Sequence, residues 1–242
     1  HSYNPTCMKY LFALTILLLL FSCKTEEDTF QIENGDEYFP LAVGQYAIYE
    51  MDSTIYDPNG MEMVRQSITQ LREEIVDTLR DNNDNLLYKI EQLTRGADTL
   101  PWVVQNVYTT ALIDNQAQRT EENLKFIKMT FPVRDNRSWN GNAFIDESTI
   151  VIVAGETIEM FKSWDYRIRE VDLVDTLGGE IFEPVVLIEQ ADSDNEIELR
   201  QSFEKYAPNV GLIYRELRIL DTQCIVDCEG QPWEEKAEKG FI

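Results

Sequence analysis

The sequence predicts a mainly β protein: a single antiparallel domain, built as a curved open sheet of half-barrel form or as a β-sandwich, with few short helices. Three observations predict it. Short segments rich in Val, Ile, Thr and aromatic residues follow one another from residue 45 to residue 220, and such residues suit a pleated, half-buried surface. Clusters of Asp, Asn, Gly and Pro punctuate them at hairpin spacing. No stretch shows the strand and helix alternation of a parallel sheet, and no repeat of fixed period stands out.

In chain order, residues 1–7 form an upstream extension before Met8. Lys9, the 11-residue apolar run 11–21 and the closing Leu20-Phe21-Ser22-Cys23 have the form of a short export signal ending in a lipidatable cysteine. Spanning a bilayer takes about 20 apolar residues, roughly twice this run, which argues against a transmembrane anchor. Residues 1–22 are therefore read as extension and signal peptide. Residues 23–37 are read as the lipidated Cys23, carrying palmitate or similar acyl chains, and an acidic tether. Residues 38–242 are read as one β-rich domain, a length a single domain accommodates.

Residues 45–51 alternate, and Asp57-Pro58-Asn59-Gly60 turns the chain. Residues 69–79 fit both a helical stripe and a strand; the turn-rich Asp81-Asn82-Asn83-Asp84-Asn85 and the returning segment 86–91 favour the strand. Residues 102–113 are followed by the turn Asp114-Asn115, and 124–133 is read as the strand that pairs back. Asn140-Gly141 is a hairpin signal. Residues 150–153, 164–171, 182–191, 197–206 and 210–220 complete the strand candidates.

Tyr38-Phe39-Pro40-Leu41 with Val43-Gly44, Tyr46 and Tyr49, and then Tyr206-Ala207-Pro208-Asn209-Val210-Gly211-Leu212-Ile213, resemble the opening and closing signatures of Bacteroidota cell-envelope lipoproteins of unknown function. Asn209 stands where the closing pattern has its first glycine, a replacement asparagine makes at a positive-φ turn. Lys24 before Glu26-Glu27-Asp28 is similar to the acidic export tag of surface lipoproteins in the same group. The resemblance implies an outer-membrane lipoprotein, on the periplasmic side or at the cell surface, with a curved sheet like that of lipoprotein carriers.

Composition restricts the chemistry. Against 44 acidic residues stand 21 basic ones, for a formal charge of −23, and a surface so negative repels nucleic acid. The one histidine is His1, outside the mature domain, so imidazole-based hydrolysis and zinc sites built on imidazole have no histidine to use. No phosphate-binding or dinucleotide loop is present, and no cofactor or metal is expected. Cys224 and Cys228 are read as a local disulfide of an oxidising compartment.

Glu73-Glu74, Glu121-Glu122 and Glu234-Glu235 are read as solvated charge, since adjacency in sequence does not place two carboxyls across a cleft. Asp192 to Glu196 and Asp81 to Asn85 carry oxygen ligands, but not in a calcium-loop order, and are read as turns. Trp139, beside Asn140-Gly141, is the candidate ligand or partner contact. The expected role is non-catalytic binding or structural association by a lipoprotein held to the membrane through its acyl chains, with an envelope protein or an apolar ligand as partner. The alternatives are a carrier of an apolar ligand and a carboxylate-based hydrolase lacking histidine.

Overall fold

The computed structural model describes residues Asn34–Ile242, which form one unit. The segment read as the signal, Cys23 and the segment read as the tether up to residue 33 lie outside the described residues. Strands β1 (Tyr46–Tyr56), β2 (Val64–Arg80), β3 (Leu86–Arg95), β4 (Val103–Ile113), β5 (Gln116–Glu121) and β6 (Leu124–Thr130) form an antiparallel meander. The short β7 (Ser138–Trp139) and the separate hairpin β8 (Ile150–Val153) and β9 (Glu156–Glu159) follow. A second meander comprises β10 (Trp164–Leu177), β11 (Glu180–Asp194), β12 (Glu198–Ala207) and β13 (Gly211–Asp221). One helical turn, α1 (Trp233–Lys236), leads to β14 (Lys239–Phe241). Among the described residues no helix is long and apolar enough to cross a membrane.

Twelve strands make one sheet in the order β6-β5-β4-β3-β2-β1-β14-β13-β12-β11-β10-β7, and its two ends approach each other. Trp139 Nε1 donates to the Ile127 carbonyl at 2.8 Å, the Ile127 N–H donates to the Gly141 carbonyl at 2.8 Å, and Arg137 Nε donates to Thr130 Oγ1 at 2.9 Å. Of the two architectures the sequence left open, the curved sheet is the one observed, and it is nearly closed into a barrel.

Residues 69–79 lie in β2, as the turn chemistry implied. Asp81 caps that turn by accepting the N–H groups of Asn83 at 2.8 Å and Asn85 at 2.9 Å. The expected direct pairing of segment 102–113 with 124–133 is corrected, because β5 stands between β4 and β6. Two tight turns made of positive-φ pairs, Asp114-Asn115 and Glu122-Asn123, build that meander. The hairpin expected at Asn140-Gly141 does not form. A Cβ at Gly141 would lie 2.4 Å from the Tyr166 ring, so the glycine serves close packing at the seam instead.

The main core groups Met129, Phe131, Tyr166, Ile168, Val186, Ile188 and Tyr206, each burial contributing about 1.5–3 kcal/mol. At one end of the barrel the β8–β9 hairpin covers the opening: Ile158 is buried, and Arg200 Nε donates to the Glu159 carbonyl at 3.1 Å. At the other end residues 34–45 cross as a strap that begins with a 3-10 turn, Asp36–Tyr38. The Val133 N–H donates to the Asn34 carbonyl at 3.1 Å and the Asn209 N–H to the Glu37 carbonyl at 2.6 Å. Residues 34–37, read from sequence as the end of the tether, therefore pack on the domain.

β14 is inserted between β1 and β13 and is only three residues long. It pairs with Ile55 and Tyr56 on one side and with residues 219–221 on the other. Toward the strap, β1 and β13 share no ladder and leave a wedge-shaped slot in the barrel wall. At its β14 end the slot is one inserted strand wide, about 9–10 Å between flanking strands.

Candidate functional site

The slot opens onto a cavity of about 90 Å³, room for several waters or a small functional group. Strand alternation brings inward-facing residues of five strands to its floor: Tyr49 from β1, Glu73 from β2, Arg119 from β5, Lys128 from β6 and Arg215 from β13. Phe39, Pro40 and Leu41 of the strap, with Ala47, Ile75 and Leu212, form an apolar rim. On the other flank of the strap lies a second, open hollow of about 360 Å³ against Leu86, Tyr88 and Leu112.

Two carboxylates organise the floor. Glu204, fully buried on β12, accepts from Lys128 Nζ at 2.6 Å and Arg215 Nε at 2.8 Å on Oε1. Its Oε2 accepts from Gln190 at 2.6 Å and from the Tyr206 hydroxyl at 2.7 Å, which fills its acceptor sites. Ser202 Oγ in turn donates to Gln190 Oε1 at 2.6 Å and fixes that amide. Glu73 receives a two-pronged contact from Arg119, at 2.6 and 2.8 Å, and a bond from Gln92 at 3.1 Å. Arg119 Nε abuts the Glu121 carboxylate as well.

Burial alone would raise both carboxyls, but their cations outweigh it. Arg119 holds Glu73 down to about 2, and Lys128 with Arg215 hold Glu204 down to about 2. Burial lowers the Lys128 ammonium, with the Glu204 carboxylate opposing the effect. Burial, with the Glu73 charge, pushes the Tyr49 phenol well up. Tyr49 remains a neutral donor, and its hydroxyl bonds the Leu212 carbonyl across the slot at 2.9 Å. Both carboxylates are therefore ionised and bridged to cations at neutral pH.

Arg215 differs from the other floor cations. A third of its side-chain surface stays accessible, and it lines the cavity. Only its Nε is engaged; Nη1 and Nη2 have no hydrogen-bond partner among the described residues. Lys128 Nζ makes one hydrogen bond, to Glu204, and has two further N–H groups.

The two signature segments, far apart in sequence, meet at this cavity. Phe39 and Tyr206 lie with ring centroids 6.2 Å apart, and Gln45 reaches the Val210 carbonyl at 3.5 Å. Asn209 has φ 61°, the left-handed conformation expected of a residue in glycine's place. The Gly44 N–H donates to the Ile75 carbonyl at 2.7 Å and ties the strap to β2.

Of the carboxylate pairs read as solvated charge, Glu73 and Glu121 are instead drawn inward by Arg119 and Glu74 borders the cavity, whereas the other single residues picked out from sequence lie elsewhere. Trp139 lies in the barrel seam, its N–H spent on Ile127 and its ring 5.7 Å from that of Tyr166, so it is not at a solvent-facing hairpin tip. Cys224 and Cys228 form the expected disulfide, outside the barrel wall strands. Cys23 lies outside the described residues. Asp194 accepts from the Trp233 indole at 2.9 Å, and Asn195 caps the turn into β12, so the Asp192 to Glu196 segment serves the hairpin. Arg119, Lys128, Glu204 and Arg215 were not singled out; their signal was a charged residue sharing strand parity with aromatic neighbours, as in Phe126-x-Lys128 and Glu204-x-Tyr206.

No family model matches the chain, and comparison with curated proteins and with solved structures finds no similar protein.

Proposed function

We propose that the chain is an extracytoplasmic lipoprotein, anchored through acyl chains on Cys23, that works by non-catalytic binding of a small amphipathic molecule in the strap-end cavity. The observation that carries this reading is the cavity itself: uncommitted cationic N–H groups on its floor, an apolar rim above them, and a slot in the wall that leads to both. The sequence supports the address through Leu20-Phe21-Ser22-Cys23 and through the envelope-lipoprotein resemblance of the segments that frame the cavity.

A docking role for the outer face of β1–β4 has less support. Ile48, Val104 and Val107 are exposed there, but Arg72, Glu74 and Glu91 interrupt them and break the apolar surface.

Native mass spectrometry of the protein extracted from its own membranes tests the reading. Expected are a mass that fits cleavage before Cys23 plus acyl groups, lost in Cys23→Ala, and a small-molecule adduct lost in Ala47→Phe, which fills the cavity. An adduct-free wild-type spectrum, or an adduct that survives Ala47→Phe, overturns binding at this site.

A further inference from the structure

We infer that the group bound on the cavity floor is a carboxylate, the head of an amphipathic monoanion, and that the free fork of Arg215 reads it. This rests on the binding reading above and names its ligand class.

The argument starts from hydrogen-bond capacity. The two carboxylates that organise the floor are committed: Glu204 has four donors, and Glu73 is held by Arg119 and Gln92, while Glu121 is paired with Arg119. The donors are in surplus, because among the described residues Arg215 keeps both Nη groups and Lys128 two N–H groups without hydrogen-bond partners. A cationic or donor-only ligand would meet these N–H groups and find Glu73 and Glu204 already taken. A ligand rich in acceptor oxygens completes the set.

Geometry narrows the choice. Lys128 Nζ and Arg215 Nε bond the same Glu204 oxygen at 2.6 and 2.8 Å, so the two cations sit close together on one side of the cavity. With Nε engaged, the end of the guanidinium presents Nη1 and Nη2 side by side, the fork that matches two carboxylate oxygens. Charge narrows it further. Glu73, Glu121 and Glu204 balance Arg119, Lys128 and Arg215, so the floor is neutral before ligand arrives, and a monoanion disturbs it less than a dianionic phosphate.

The rest of the ligand follows from the rim. A stem leaving the floor passes Ala47, Ile75 and Leu212 beneath Phe39, Pro40 and Leu41 and reaches the slot between β1 and β13. Those walls favour an apolar chain. The geometry thus assigns an amphipathic monocarboxylate, its head on Arg215 and its stem under the strap.

The experiment is isothermal titration of the full chain with decanoate, decyl phosphate, decanol and decyltrimethylammonium, each below its micelle concentration, on wild type and Arg215→Lys. Lysine keeps a cation for Glu204 but lacks the fork. Expected are decanoate binding at least tenfold tighter than decanol, and a decanoate affinity at least tenfold weaker in Arg215→Lys with decanol unchanged. Decanol or decyltrimethylammonium binding as tightly as decanoate overturns the head-group assignment while leaving the binding reading standing. Decyl phosphate binding tenfold tighter than decanoate overturns the carboxylate in favour of a phosphate. Absence of binding by all four overturns the inference and the amphiphile reading together. The wild-type comparison of probes decides the head group whether or not Arg215→Lys folds.

Discussion

Lys128 on β6 and Glu204 on β12 meet at 2.6 Å across the interior of the barrel, joining strands that lie eight places apart in the sheet. Both side chains are buried, so the pair depends on complete neutralisation and not on solvent. Glu204 neutralises Arg215 as well, and its removal strands two cations. Glu204→Gln should therefore cost about 3–5 kcal/mol, measured by urea unfolding. Adding Lys128→Met should recover part of the loss, because one stranded cation goes with it. Equal stability of Glu204→Gln and wild type would remove the pair from any account of barrel closure.

The same carboxylates set the acid limit of the fold. Glu73 and Glu204 have folded-state values near 2 against an ordinary 4.5, so they release protons more readily folded than unfolded. Their contribution is fully present above about pH 4.5 and is lost as pH falls toward 2. Wild type should lose stability steeply between pH 5 and 2. Glu204→Gln, though less stable at neutral pH, should show a shallower slope in thermal melts taken across that range.

Gly240 in β14 has φ 118°, and a Cβ there would lie 2.0 Å from the Ile219 carbonyl oxygen. Gly240→Ala must move the strand that links β1 to β13, and should cost about 3 kcal/mol or more. Gly155, in the β8–β9 turn with φ 86° and open space around its Cα, is the control. Gly155→Ala should cost only about 1–2 kcal/mol from the left-handed conformation. Comparable losses at the two sites would mean that β14 is not held as described.

Much of this fold could be read from residue patterns, and the part that could not has one physical cause. Strands β3, β4, β12 and β13 alternate or carry β-branched runs, and the Asx turn at Asp81 uses the chemistry its residues advertise. β5 escaped because Gln-Ala-Gln-Arg-Thr-Glu has one small apolar residue: Ala117 is buried, and beside it so are Gln118 and Arg119. Hydrophobic periodicity finds strands whose inner face is oily, and this barrel is lined in the middle by ions. The site was hidden for the same reason, and because Phe39 and Tyr206 meet through a closure that no local pattern encodes. Asn140-Gly141 misled in the opposite direction, since its glycine answers to the Tyr166 ring and not to a turn.

The disulfide should contribute modestly. Cys224 and Cys228 close a loop with a sequence separation of four, and a loop so short restricts the unfolded chain little, by about 2 kcal/mol at most. The double change Cys224→Ser, Cys228→Ser should lower stability by that amount and leave the decanoate titration unchanged. A loss of ligand binding on reduction would tie the C-terminal segment to the cavity in a way the fold does not suggest.

Closure of the barrel rests on a two-residue strand, and Trp139 is where it should fail first. The indole N–H satisfies the Ile127 carbonyl at 2.8 Å while the ring packs on Tyr166, so one side chain both satisfies backbone and fills core. Trp139→Phe keeps an aromatic ring but removes the donor and should cost about 1–3 kcal/mol, the penalty of leaving a buried carbonyl unpaired. Trp139→Ala also opens a cavity and should cost about 3–5 kcal/mol. Because β6 carries Lys128, a loosened seam should also free the floor cation. Amide exchange should then rise at Ile127 and Lys128 before it rises in β12. If exchange rises uniformly over the sheet instead, the two meanders unfold as one cooperative body and the seam is not its weak line.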